Sequence, residues 1–283
     1  MQPYLLTRNP YLHVTLDAAK DVVASALERL RDASEGLEFD AEKHRYFLYG
    51  KELTGVSSIV EHFAPFDTEA KAAQCAVNPK HPLYGKDPKE IVAIWEQKRD
   101  AAADAGTKVH AFAEACFLYM CGREDEIEPT YRVRITPNGF LAAEAKEISV
   151  AKWWASQDWA RYVPVAKEVR LVDPTMGYAG TFDLLLYDLM EEAFVLKDYK
   201  TNEDLNRWYG DMLLAPLNML KANDIGKYTV QQTLYTLALR GIGFDVRRSE
   251  LVWLRENDFQ DVALDLRYSK VIAYTVKNLL TKN

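Results

Sequence analysis

The stretch Tyr178-Ala-Gly-Thr-Phe-Asp183-Leu-Leu-Leu-Tyr-Asp188 and its continuation, Phe194-Val-Leu-Lys-Asp198-Tyr-Lys200, decide the fold of this chain. Val, Leu, Phe and Tyr dominate both runs. A short acidic connection, Leu189 to Glu192, separates them, so they read as two adjacent strands. Side chains alternate along a strand, so Asp198 and Lys200 project from one face and Tyr199 from the other. Asp183 is expected to share a face with Leu185 and Tyr187. A pairing that sets Asp183 beside Asp198 gathers two carboxylates and an ammonium in a small volume. Buried anions repel each other unless a cation lies between them. An all-oxygen pocket of that kind suits Mg²⁺ or Mn²⁺ rather than zinc. Asp-x-Lys alone is more often a surface ion pair, so its weight depends on what accompanies it.

Three companions lie elsewhere in the chain. In Gly106-Thr107-Lys108-Val109-His110-Ala111-Phe112-Ala113-Glu114, Thr107 can cap a helix on which His110 and Glu114, four apart, share a face. Val163 to Val172 alternates like a strand, with Glu168 on the face of Ala166 and Arg170; a Glu168–Arg170 surface pair is the plainer account. Tyr228-Thr-Val-Gln231-Gln-Thr-Leu-Tyr235 opens a helix, with Gln231 and Tyr235 on one face and Val230, Leu234 and Leu237 as its buried stripe.

Gly-Thr-x-x-His-x-x-x-Glu, then Gly-Thr-x-Asp, Asp-x-Lys and Gln-x-x-x-Tyr, in that order, resembles the PD-(D/E)XK nuclease superfamily. The nearest branch is the RecB-like, lambda-exonuclease-like group, which includes viral exonucleases and the mitochondrial genome maintenance exonuclease. The resemblance runs from about Gly106 to the C-terminus. It implies an α/β (mixed α+β) restriction-endonuclease-like core, with a central mixed sheet flanked by helices. It further implies a Mg²⁺- or Mn²⁺-dependent deoxyribonuclease, using one or two ions, that works on DNA ends in phage-type recombination, replication or repair. By the same resemblance Asp183, Asp198, Lys200, Gln231 and Tyr235 are catalytic. His110, Asp183, Asp198 and the backbone carbonyl of Tyr199 hold the metal. Glu114 supports the site, as a ligand or by orienting His110, and Glu168 faces it. Thr201, Arg207 and Trp208 are candidate substrate contacts. DNA is the implied partner, single- or double-stranded, with a replication or recombination protein as a second. The contrasting reading is a nucleic-acid-binding or assembly protein that keeps the fold with a silent site. A small-molecule hydrolase lacks support, because neither a nucleophile elbow nor a phosphate-cradling glycine loop is present.

Composition sets the outer bounds. The 283 residues are 48% hydrophobic and 27% charged, which is ordinary for a globular chain with a sizeable core. The expected division is an N-terminal helix-hairpin extension over residues 1–86, packed on a nuclease core over 87–283. A net charge of −7 argues against coating nucleic acid by bulk electrostatics, yet leaves room for a local basic groove. Cys75, Cys116 and Cys121 lack zinc spacing and are too few for a four-cysteine iron–sulfur cluster, so reduced thiols and no cluster are expected. No run suits a membrane span and no signal-peptide block opens the chain, which predicts a cytoplasmic protein, in the host cell if viral.

Element by element, the sequence predicts a helix over Leu16–Arg31, a hairpin turning at Gly50-Lys51, and a short helix from Ser57 to Phe63. A helix capped by Asp87 should stop at Gly106, with a new one starting at Thr107. A surface connection is expected from Arg123 to Asn138, then a helix from about Gly139 to Ser156. Trp153 and Trp154 within it are read as packing residues in preference to base-stacking ones. A strand over Phe244–Leu254 and a final helix from Asn257 or Asp258 to Leu280 complete the chain.

Overall fold

The computed structural model describes residues 2–281. In chain order the elements are β1 (Tyr4–Leu6), α1 (Leu12–Ala18), α2 (Lys20–Ala33), β2 (Leu37–Asp40), β3 (Arg45–Leu48), β4 (Lys51–Gly55), α3 (Val56–Phe63) and α4 (Thr68–Val77). There follow α5 (Pro88–Met120), α6 (Pro129–Arg132), β5 (Ile135–Thr136), β6 (Gly139–Ala142), α7 (Ala145–Ser156), β7 (Tyr162–Asp173), β8 (Tyr178–Asp188) and β9 (Ala193–Lys200). The chain ends with α8 (Asp224–Gly241), β10 (Val246–Arg255), β11 (Asp258–Ala263) and α9 (Ser269–Leu280).

The mixed α/β architecture expected from the sequence is present. Eight strands form one sheet in the order β11-β10-β9-β8-β4-β3-β2, with β7 paired to β8. The β9–β10 and β4–β8 pairs are parallel and the others antiparallel. The N-terminal hairpin therefore joins the same sheet as the later strands, through Thr54 and Gly55 beside Tyr178 and Ala179. Helices bury both faces. On one, α5 and α7 cover Leu184, Leu186, Val195, Tyr199 and Val252. On the other, α2, α3, α8 and α9 cover Phe182, Leu185, Phe194, Leu196 and Val246. Odd and even residues of β9 thus serve different cores, and the near-continuous apolar runs of β8 and β9 are what a sheet covered on both faces requires. Among the described residues no helix is long and apolar enough to cross a membrane.

Four boundaries differ from the expected ones. The predicted Leu16–Arg31 helix is two helices, broken at Ala19, whose φ of −99° and ψ of 8° leave the helical range. Gly106 does not end a helix, because α5 runs unbroken through it. A mid-helix glycine costs about 1 kcal/mol relative to alanine. The alanines around it and the buried stripe Val109, Phe112, Ala113 and Cys116 beyond it offset that cost. Thr107, expected to cap, instead bonds back to the Ala103 carbonyl at 3.0 Å as an interior helical residue. Gly139 opens a strand rather than a helix. Its φ is 142°, and a Cβ there would lie 2.6 Å from the Leu6 carbonyl oxygen, so β6 can pair closely with β1. The helix waits for Glu144 and Glu147, which form a capping box. Finally, Asp258–Ala263 pairs with β10 as a hairpin strand, and the last helix begins only at Ser269.

Trp153 and Trp154 are both fully buried, as the packing reading requires. Trp154 stacks on Trp159 at 4.9 Å and meets Phe117 edge-on. Trp153 donates its indole N–H to Asp261. Truncating Trp154→Ala should lower the free energy of unfolding by about 3–5 kcal/mol, the usual cost of emptying an aromatic core position. Urea denaturation checks this; a loss under about 1 kcal/mol would contradict the packing described.

Candidate metal centre

The last ladder pair between β8 and β9 is Leu184 opposite Lys197. One step further the register sets Asp183 across from Asp198, and there the ladder gives way. Asp183 Oδ2 accepts the Tyr199 backbone N–H at 2.7 Å, so a side chain takes the donor that another ladder bond would have used. Asp183 is 8% exposed and Asp198 2%, a placement that demands compensation for two neighbouring anions.

On the other side of β8, Lys167 pairs with Leu184 and Val169 with Phe182. Glu168 therefore falls opposite Asp183. Its φ is 47°, a left-handed conformation inside a strand that costs a non-glycine residue about 1–3 kcal/mol. Glu168 Oε1 lies 3.5 Å from His110 Nδ1, which comes down from α5, and Asp183 Oδ2 lies 3.4 Å from the same nitrogen. The ligand atoms of His110, Glu168 and Asp183 all lie within 4.8 Å of one another. Trp154, Tyr199, Phe117 and Ala113 help to line the small cavity beside them.

Asp198 faces the α8 side. Its Oδ1 accepts from Gln232 Nε2 at 2.7 Å, and its Oδ2 lies 2.5 Å from Lys200 Nζ. The Lys200 ammonium is the one close partner of Oδ2, which has no other donor among the described residues. Lys200 also lies over the Tyr228 ring at 4.3 Å, and the Tyr228 hydroxyl donates to Asn202. Tyr235 packs against Gly180, where a Cβ would come within 2.6 Å of the ring. The glycine of Gly-Thr-x-Asp is what admits this tyrosine beside the site.

Charge shapes the protonation states. The Asp183 carboxylate, and after it Glu168 and Asp198, raise the His110 pKa to about 9 against the opposing effect of burial. Burial first, and the Asp198 charge second, push Asp183 up to about 7. Burial would lower Lys200, but Asp198, Tyr228 and Asp183 outweigh it and hold the ammonium above its ordinary value. Burial raises the Tyr235 phenol well above its usual range, so it stays a neutral hydroxyl.

These residues could hold a metal ion. They supply carboxylate oxygens and one imidazole. His110, Glu168 and Asp183 form the compact group, and Asp198 with Lys200 stands beside it. Glu114 does not meet His110: its carboxylate pairs with Lys167, while the carboxylates His110 meets are Glu168 and Asp183. Glu168 is not paired with Arg170, which lies over the Phe39 ring. The buried Gln231 Oε1 has no hydrogen-bond partner. Thr201 follows Lys200 directly, and its carbonyl accepts from Lys146. Arg207 and Trp208 lie in the loop beyond, where Arg207 faces Glu203 and Asp204 and Trp208 lies under Lys221. Sequence reasoning missed Gln232 and Ser249. The tandem Gln231-Gln232 was the available signal, but α8 is buried on nearly every side, so stripe analysis does not separate the two.

No protein-family model matches the chain, and no curated protein matches it. Among solved structures it is similar to a chain from Eubacterium rectale described as a "Putative exonuclease", with 14% identity and a TM-score of 0.34. The match covers 60% of this chain and 64% of that one. Likeness of that degree assigns neither a family nor an activity.

A cation entering this site must displace protons held near pH 7 on Asp183 and up to about pH 9 on His110. Mn²⁺ affinity should therefore fall as pH drops from 9 through 7, with protons released on binding. Calorimetry in two buffers of different ionisation enthalpy measures the release; equal heats in both would contradict the linkage.

Proposed function

We propose that the protein is a divalent-metal-dependent nuclease that hydrolyses DNA phosphodiesters and works from ends, as an exonuclease of phage-type recombination, replication or repair. The observation that carries this reading is the convergence of Asp183, Asp198 and Lys200 beside His110 and Glu168, at the point where the β8–β9 ladder gives way. The ordered motifs of the PD-(D/E)XK resemblance support DNA as the substrate and ends as the point of attack. Association with a replication or recombination protein belongs to the same proposal.

His110, Glu168 and Asp183 would hold the ion, with Asp198 Oδ2 and the Tyr199 carbonyl as further oxygen donors. Such an ion, Mg²⁺ or Mn²⁺, lowers the pKa of a coordinated water and offsets charge building on the phosphate. Lys200 has its proton held more firmly than usual, which disfavours a general-base role. Its ammonium instead positions the nucleophile and stabilises the anion that develops at phosphorus. Gln231 Oε1 is free to accept a hydrogen bond from water at the site. Tyr235 offers a neutral hydroxyl to a phosphate oxygen. Thr201, Arg207 and Trp208 are assigned to the strand leaving the site, Trp208 being half-exposed.

Purified protein should degrade DNA with Mg²⁺ or Mn²⁺ and lose this activity with chelator. Asp198→Asn and Lys200→Ala should each lower kcat by about 10²–10³-fold, the size of effect seen when one preorganised electrostatic group is removed, while circular dichroism stays native. End-labelled linear DNA should be consumed beside a surviving closed circle. Full activity in both variants would discard the assigned site.

A further inference from the structure

Asp198 sits at the end of a buried polar chain that the nuclease motifs do not include. Gln232 and Ser249 are 0% and 1% exposed. Gln232 Nε2 donates to Asp198 Oδ1 at 2.7 Å, and Ser249 Oγ donates to Gln232 Oε1 at 3.2 Å. The direction of both bonds is forced. An ionised carboxylate only accepts, so the amide must turn its NH₂ toward Asp198. Its oxygen then faces β10, where the Ser249 hydroxyl is the donor that fixes it. Without that donor the amide would lose one of the two bonds that select its orientation.

The consequence falls on Asp198. With Oδ1 engaged by Gln232, the carboxylate cannot rotate freely about its χ2 axis. Oδ2 is thereby held toward Lys200, its one close partner. A carboxylate oxygen whose one close partner is an ammonium keeps lone-pair capacity for a cation or for the proton of a water. The chain from β10 through α8 is what fixes that oxygen in place.

We propose that Gln232 and Ser249 act in series as positioning residues that orient Asp198 Oδ2 toward the metal and Lys200. This rests on the nuclease reading for its chemistry, but its geometric content concerns cation binding as well. The Ser249 side chain bonds to Gln232 and not to Asp198. Two side chains acting in series should show non-additive effects, whereas two independent packing residues should show additive ones.

The test uses the full-length protein and four forms: wild type, Gln232→Leu, Ser249→Ala and the double variant. Mn²⁺ affinity is read by calorimetry, kcat and KM on linear DNA by initial rates, and folding by thermal unfolding. Gln232→Leu is expected to weaken Mn²⁺ binding about 10-fold and lower kcat at least 10-fold with KM little changed, by the size of a lost hydrogen bond to a charged group. Ser249→Ala should show a smaller loss of the same kind, about 2- to 5-fold on the same scale. The double variant should be no worse than Gln232→Leu. Wild-type Mn²⁺ affinity and kcat in folded Gln232→Leu, or additive losses in the double variant, would overturn the proposal and leave the nuclease reading intact. If wild type proves inactive on DNA, that reading falls, and the Mn²⁺ arm still decides the positioning role. Should Gln232→Leu fail to fold, Ser249→Ala decides alone: wild-type affinity and kcat overturn the proposal, and a parallel loss of both supports it.

Discussion

Two carboxylates almost out of reach of water, facing each other across adjoining strands, are the constraint around which the rest is built. Taking even one ionised carboxylate into a protein interior costs several kcal/mol before compensation. Asp183 meets part of that cost with the Tyr199 N–H, part with His110, and is still left holding its proton to about pH 7. Asp198 is answered by Gln232 and Lys200. The compensating groups arrive from three elements: His110 from α5, Tyr199 and Lys200 from β9, Gln232 from α8. The site therefore exists only once the sheet has formed and both of its faces are covered.

That dependence explains details with no other evident purpose. A glutamate in a left-handed conformation inside a strand is strained, and it persists where surrounding contacts over-determine it. Here β7 pairs with β8 on both sides of Glu168 and holds the residue opposite Asp183. The lack of a side chain at Gly180 admits Tyr235 to van der Waals contact with β8. Tyr46, from the N-terminal hairpin, reaches Thr181 at 3.2 Å, two residues from Asp183. The hairpin thus buttresses the same strand that carries the acid.

How far the sequence discloses this varies with the range of the cause. Alternation along β9 places Asp198 and Lys200 opposite Tyr199, and the structure has them so, because a strand covered on both faces sorts its side chains by parity alone. Local signals mislead where a distant partner decides. Gly106 carries the mark of a helix stop, yet the apolar stripe after it continues α5. Gly139 lies in a run that reads as helical, yet β1, more than 130 positions away in the chain, recruits it as a strand. The left-handed conformation of Glu168 in particular has no sequence signature, since a strand's parity does not foretell it, although the family resemblance has the residue facing the site. Gln232 is hidden for another reason. On a helix buried nearly all round, Gln231 is half-buried and Gln232 fully so, and only the placement of β9 and β10 reveals which one meets Asp198.

The opposite end of β8 offers an internal control. Asp188 is also fully buried, but it accepts from Arg161 at 2.8 Å and from Arg248 at 2.5 Å, and the backbone N–H groups of Met190 and Glu191 bond to it as well. Burial alone would raise its pKa; Arg161 and those backbone donors more than offset burial and hold it below the ordinary value. One strand thus carries two buried aspartates, one with positive charge and donors in surplus and one in deficit. A protein that needed Asp183 only for folding had the same means at hand and used them 5 residues further along. The deficit at Asp183 coincides with a histidine, a strained glutamate and a second buried carboxylate beside it. Uncompensated negative charge of that kind is stable in a folded chain when a cation completes it.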